Sequence, residues 1–288
     1  MTLLKRSLRK ALLVRTPENP DRSAPTVSDN TTVYFMVKCR PGTSAETFVR
    51  QMLSSVASRV HNKRKVLNYS SFRQYHNTKP GGLDALPLIL TRTHRVVRSL
   101  CLLSDIAPPP VFSMNLTPYY DALIEFEFED SPTDDQFAAL ELVGEIVESI
   151  CGEVVTCECD KRYTIIGHPA PTRKPDSVFL TVITKTPWNR TMRQAQKYWI
   201  EQHAPIVVDN NEYLNLRGYQ QVHTTTREES RLANEYSGVA FIEFGSISEF
   251  WRNNLTYDAM RINNTLALDE INLTIGSHIN MFRCFDLS

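Results

Sequence analysis

Long apolar runs are missing from this sequence, and so is any surplus of charge. No stretch approaches the roughly 20 consecutive apolar residues needed to cross a bilayer, so a soluble chain is expected. Lysine plus arginine numbers 32 and aspartate plus glutamate also 32. No global field then draws the chain to nucleic acid or an anionic membrane, and neither is expected as a partner. Cysteine is sparse: Cys39, Cys101, Cys151, Cys157, Cys159 and Cys284 in 288 residues do not read as a disulfide framework. Cys157 and Cys159 share a strand face, but no second Cys or His pair stands at zinc spacing, so plain buried thiols and no metal are expected. The Gly-rich nicotinamide and flavin fingerprint, the P-loop and H-E-x-x-H are absent too, and no cofactor is expected.

The first 17 residues, MTLLKRSLRKALLVRTP, carry no acid and place leucines at helical spacing. That composition suits an organelle transit peptide. The simpler reading is a frayed amphipathic tail, with residues 1–30 a basic, flexible segment and the protein cytoplasmic. The Asn-x-Ser/Thr sequons follow no signal-peptide apolar region, and read as asparagine-rich loops and caps.

What the chain does have is an internal repeat. VLNYSSFRQYHNT (66–78) aligns without gaps on YLNLRGYQQVHTT (213–225), and ALIEF (122–126) on AFIEF (240–244). The first pair is offset by 147 residues and the second by 118, so the first half holds 29 extra residues between its matching strands. That excess falls in an insertion at 79–119, with PGG, PPP and a helical piece around His94–Leu103. Each half then reads strand-helix-strand twice. Strands are expected at Thr32–Arg40, Leu67–Thr78, Tyr120–Glu129 and Val154–Tyr163, with helices at Ser44–Lys65 and Thr133–Cys151. The second half repeats this with strands Ser177–Lys185, Leu216–Thr225, Gly238–Gly245 and Ile275–Phe285, a helix from Met192 to about His203, and a helical stretch in Ser248–Leu273.

This is the α+β pattern of two tandem ferredoxin-like βαββαβ units, spanning 31–167 and 177–288 and joined by a proline-rich linker at 168–176. One unit alone leaves a sheet face bare. Packing the two face to face within one chain gives an intramolecular dimeric α+β barrel, which lets the chain act as a monomer. Strand residues alternate faces, so Tyr219, Gln221 and His223 point one way, and Phe72, Gln74 and His76 match them. Ala240, Ile242 and Phe244 suit the underside of helices, which sends Phe241 and Glu243, and by the repeat Glu125, to the other face. Both sets are expected to line the barrel interior. The bland alternative is a buried polar network that holds the sheets in register.

Met192, Ala195, Trp199 and Ile206 form an inward helical stripe with His203 at its border, and Pro205 should end or kink the helix at about His203. A histidine at a helix carboxyl end is favoured in its protonated form.

Tyr198, Trp199, His203, Ala204 and Pro205 (Y-W-x-x-x-H-A-P), followed by Gly218–Tyr219–x–x–x–His223, resemble the EthD family of the dimeric α+β barrel superfamily. The resemblance covers roughly 177–288; in the first half Met52 stands opposite Trp199 and Val56 opposite His203, so a helix histidine is expected to serve the second half alone. What the resemblance implies is cofactor-independent acid–base chemistry on a hydrophobic, aromatic or polyketide-like small molecule, by a cyclase, dehydratase, decarboxylase or monooxygenase. His223 is then the expected acid or base, Tyr219 a donor to substrate oxygen, Glu243 the group fixing the His223 tautomer, and His203 a residue at the cavity mouth. Gln221, Trp199, Phe241, Phe72, Gln74, His76 and Glu125 are the expected binding residues. A non-catalytic binding or scaffold protein is the alternative. A haem-handling oxygenase is the least favoured, because no lone histidine is set in a porphyrin-sized slot.

Overall fold

A strand apolar on both faces has to be covered on both. Thr31–Cys39 (TTVYFMVKC) is such a strand, buried at every position except its last two. Val33, Phe35 and Val37 pack on Phe48, Met52 and Val143 of the helices. Tyr34 and Met36, on the opposite face, pack on Phe179, Val222 and Phe241 from the second half of the chain. One face therefore lies under helices and the other inside a barrel.

The computed structural model describes residues 24–77, 120–168, 177–226, 232, 236–254, 256–270, 272–274 and 277–288. The basic segment 1–17, the insertion 79–119 and linker residues 169–176 lie outside them. The described strands are β1 (Thr26–Ser28), β2 (Thr31–Cys39), β3 (Ser71–Asn77), β4 (Ala122–Phe128), β5 (Cys151–Ile166), β6 (Val178–Lys185), β7 (Gly218–Thr224), β8 (Tyr236–Phe244) and β9 (Ser277–Asp286). Between β2 and β3 run α1 (Ala45–Gln51), a π-helical turn (Met52–Val56), α2 (Ala57–Asn62) and α3 (Arg64–Leu67). Helix α4 (Asp134–Ile150) joins β4 to β5. Between β6 and β7 the first-half pattern recurs as α5 (Met192–Tyr198), a π turn (Trp199–His203), α6 (Ala204–Asp209) and α7 (Asn211–Leu214), and α8 (Ile247–Asn254) and α9 (Tyr257–Glu270) precede β9.

Hydrogen bonding runs in the order β5-β2-β4-β3-β9-β6-β8-β7 and returns from β7 to β5, which closes an eight-strand antiparallel barrel. β3 joins β9 through Arg73 to Asn77, and β5 joins β7 through Cys159 to Ile166, so the two halves meet edge to edge at two seams. Closure leaves none of these eight strands with an unpaired edge. β1 pairs with β5 outside the ring, within the segment expected to be flexible.

Local sequence sets the helix starts. Thr133 and Gln136, and again Thr191 and Gln194, form reciprocal capping boxes at the heads of α4 and α5. Such caps satisfy two backbone donors that the first turn leaves free. Asn68 and Asn215, aligned in the repeat, both adopt left-handed φ values, 44° and 50°, and end α3 and α7. Asparagine tolerates that region better than most residues.

The expected end of the helix at His203 is not observed. The helix widens to a π turn over Trp199–His203 and continues as α6, with Pro205 in its first turn. The same turn at Met52–Val56, with no proline, shows that Pro205 is accommodated by the π turn rather than its cause.

Candidate functional site

The two expected site groups lie on opposite faces of the sheet. Phe241 packs in the barrel interior with Tyr34, Tyr75, Val222 and Phe282, and Glu125 and Glu243 share that inward side, as expected. The Gln and His pairs do not. Phe72 stacks on Phe126 in the outer layer, with ring centroids 4.9 Å apart. Gln74 Nε2 donates to the Met52 carbonyl (3.2 Å), and Gln221 Nε2 to the Trp199 carbonyl (3.4 Å). Gln221, His223 and Tyr219 thus lie beneath α5–α6. Sequence alternation identified which residues share a face but not which face is inward. Both faces mix polar and apolar residues, and the π-turn carbonyls supply the outward glutamines with partners.

A consequence is that Glu243 cannot set the tautomer of His223. Glu243 accepts from Ser177 Oγ at 3.1 Å on the inner face. The partner of His223 is Gln221 Oε1, 3.1 Å from Nε2. Since the Gln221 amide nitrogen donates to Trp199 and to the Tyr219 hydroxyl (2.7 Å), its oxygen accepts, and His223 carries its proton on Nε2. The His223 ring stacks on Trp199 at 5.3 Å and 15°. Burial pushes His223 down to about 3 and His76 to about 4. Both imidazoles are neutral at ordinary pH.

His203 has a different setting. Its Nδ1 lies 2.9 Å from Asp269 Oδ2, and the Tyr198 hydroxyl donates to Asp269 Oδ1 at 2.5 Å. Tyr198 and His203 are five residues apart. On an α-helix that spacing turns side chains about 140° away from each other; the wider π turn narrows the angle, and both reach one carboxylate on α9. With Nδ1–H given to Asp269, Nε2 of His203 is left as the basic nitrogen. Burial lowers the His203 pKa, and Asp269 pulls the other way. Burial thus works against the protonated form expected at a helix end, and the helix does not end there. Beside Asp269, Glu270 is pushed up to about 7 by burial and by the Asp269 charge. The dyad lies at the rim of the layer, with side chains 8% and 14% exposed, and the Arg190 guanidinium covers the Tyr198 ring at 4.4 Å.

The barrel interior holds a second polar group. Glu125, fully buried, accepts from Tyr34 Oη (2.8 Å) and pairs with Arg73 and with Arg162 Nη2 (3.1 Å). Burial works against its charge, yet Arg162 and Arg73 outweigh burial and hold Glu125 at about 2. Arg162 also donates to Gln220 of β7 at 3.1 Å, across a seam between the halves. A surface cleft of about 550 Å3 lined by Arg40, Thr43, Ser44, Thr47 and Ser149 contains none of the expected site residues. No group of three or more metal-ligating side chains occurs among the described residues.

Sequence reasoning missed Asp269, Glu270, Arg73 and Arg162. Asp269 and Glu270 sit in a helical stretch that the repeat does not align. The two arginines stand in strands already rich in polar residues, SFRQYHN and CGEVVTCECDKRYTII, so nothing local singled them out.

The chain thus has a mixed α/β fold, an eight-strand closed antiparallel barrel wrapped by helices. Among solved structures it is similar to an anthrone oxidase-like protein, at 9% identity and a TM-score of 0.53, over 91% of this chain and 97% of the other. A dye-decolorizing peroxidase of Bacteroides thetaiotaomicron aligns at 12% identity and a TM-score of 0.44, over 92% and 96% of the two chains. A chlorite dismutase of Candidatus Nitrospira defluvii aligns at 8% identity and 0.42, over 90% and 93%. No protein-family profile and no curated protein matches the chain. No helix among the described residues is long and apolar enough to cross a membrane.

Proposed function

We propose that the chain is a cofactor-independent acid–base enzyme acting on a hydrophobic, aromatic or polyketide-like small molecule, in the manner of the EthD proteins, with its site in the second of two tandem ferredoxin-like units, 31–167 and 177–288. The observation that carries this reading is the His203–Asp269 contact beside Glu270. A histidine oriented by a carboxylate is a general base at Nε2, and the imidazolium it forms on taking a proton is stabilised by Asp269. A carboxyl near 7 is partly protonated at working pH and serves as the complementary acid. Tyr198 is half-buried at the rim, over the buried aromatic layer of Trp199 and Tyr219; an aromatic substrate there is in keeping with a fold relative described as anthrone oxidase-like. His223 and Gln221 support this layer rather than react, since a histidine near 3 does not take up a proton at neutral pH.

The alternative is a non-catalytic binding or scaffold protein. The filled barrel favours it: Glu125, the two arginines and the aromatic cluster occupy the interior where a ligand had been expected.

The experiment is cofactor-free turnover of a panel of phenols and polyketide-like ketones, with His203→Asn as control. The expected outcome is turnover on at least one member, reduced about 10²- to 10⁴-fold by the substitution. Turnover that survives His203→Asn in a folded protein overturns the role, and absence of turnover across the panel supports the scaffold.

A further inference from the structure

The duplicated Gln-x-His motif poses a problem that the acid–base reading leaves open: why the chain keeps it in both halves when the helix histidine occurs in only one. In each half the glutamine amide reaches a single backbone oxygen, that of the first residue of the π turn. That oxygen already accepts a backbone bond from the residue five positions on, Ala57 to Met52 and Ala204 to Trp199. A carbonyl has two lone pairs. The glutamine amide takes the second, from the sheet side. The histidine two residues further along the strand donates to the same glutamine's oxygen, at 2.9 Å in one half and 3.1 Å in the other. Each motif is therefore a brace: the histidine orients the glutamine, and the glutamine holds the head of the π turn.

In the first half the braced turn ends in Val56, fully buried in the core. In the second it ends in His203, and the turn angle decides whether Tyr198 and His203 both face Asp269. Trp199 is gripped twice there, on its carbonyl by Gln221 and on its ring by His223. We propose that Gln221, oriented by His223, is a positioning residue that fixes the Trp199–His203 π turn and so delivers His203 to Asp269, whereas Gln74 with His76 does the same to a turn that carries no reactive group. The catalytic consequence rests on the acid–base reading above; the positioning itself does not.

The test is the NMR titration of the His203 imidazole in the wild type, Gln221→Met and Gln74→Met, assigned with His203→Asn. The charged group facing this ring is Asp269 of α9. Gln221→Met should move the His203 midpoint and its Nδ1 shift, and lower kcat about 10- to 100-fold with little change in KM. Gln74→Met should leave both His203 signals in place. If Gln221→Met does not fold, Gln221→Glu, which keeps the shape, takes its part. An unchanged His203 titration, or an equal change from Gln74→Met, overturns the proposal. A moved titration in a protein without turnover upholds the brace and removes only the enzymatic reading.

Discussion

Replacing Glu125 by glutamine strips the barrel of the carboxylate on which Arg73, Arg162 and Tyr34 converge. The gap between an ordinary carboxyl at 4.5 and one held at about 2 corresponds to about 3 kcal/mol of stability at neutral pH. The sign follows from the direction: a depressed carboxyl stabilises the fold above its unfolded pKa and loses that contribution as pH falls toward its folded value. Removing it also leaves two guanidiniums buried, and breaking one side of such a pair typically costs about 3–5 kcal/mol. At about 2 °C per kcal/mol for a chain of this size, the melting temperature should fall by roughly 6–10 °C. Urea unfolding of wild type and variant at pH 7 and pH 3 measures both parts. The difference should shrink by about half at pH 3, where the wild type has lost much of the contribution. A loss under about 1 kcal/mol at pH 7, or one unchanged by pH, refutes the reasoning.

A Cβ at Gly238 would lie 2.3 Å from the Val222 carbonyl oxygen and 3.0 Å from the Trp199 ring, so Gly238→Ala should cost about 2–4 kcal/mol by urea unfolding and disturb the Trp199–His223 stack seen in near-ultraviolet circular dichroism. Glu270, raised to about 7, contributes stability that is full below the ordinary carboxyl range and is lost as pH rises through 7. Gln in its place should therefore melt higher than wild type at pH 8.5, by about 2 kcal/mol, with the advantage gone near pH 4; equal melting at both pH values counts against a buried Glu270.

Much of the fold was legible because the repeat fixes it. Every strand expected from alternation is found, since that signal is local. β1 escaped notice because three residues carry too little pattern. The π turns were not legible either. Nothing in MLSSV or WIEQH differs from an α-helical segment, and the cause lies across the layer in Gln74 and Gln221. For the site, the sequence put Tyr219, Gln221 and His223 on one strand face and sent that face to the barrel interior, whereas it lies beneath the helix that carries Trp199 and His203. The partner that gives His203 its chemistry, Asp269, stands 66 residues away. It lies outside the repeat, so only the packing of α9 on the π turn reveals it.

The most direct measurement sets two histidines of this layer against each other. With a substrate that the wild type turns over, kcat is measured for His203→Asn and His223→Asn, each checked for a native melting profile. The account predicts near-complete loss for His203→Asn and a partial loss for His223→Asn, whose ring only steadies Gln221 and Trp199. Full activity without His203, together with none without His223, would contradict it.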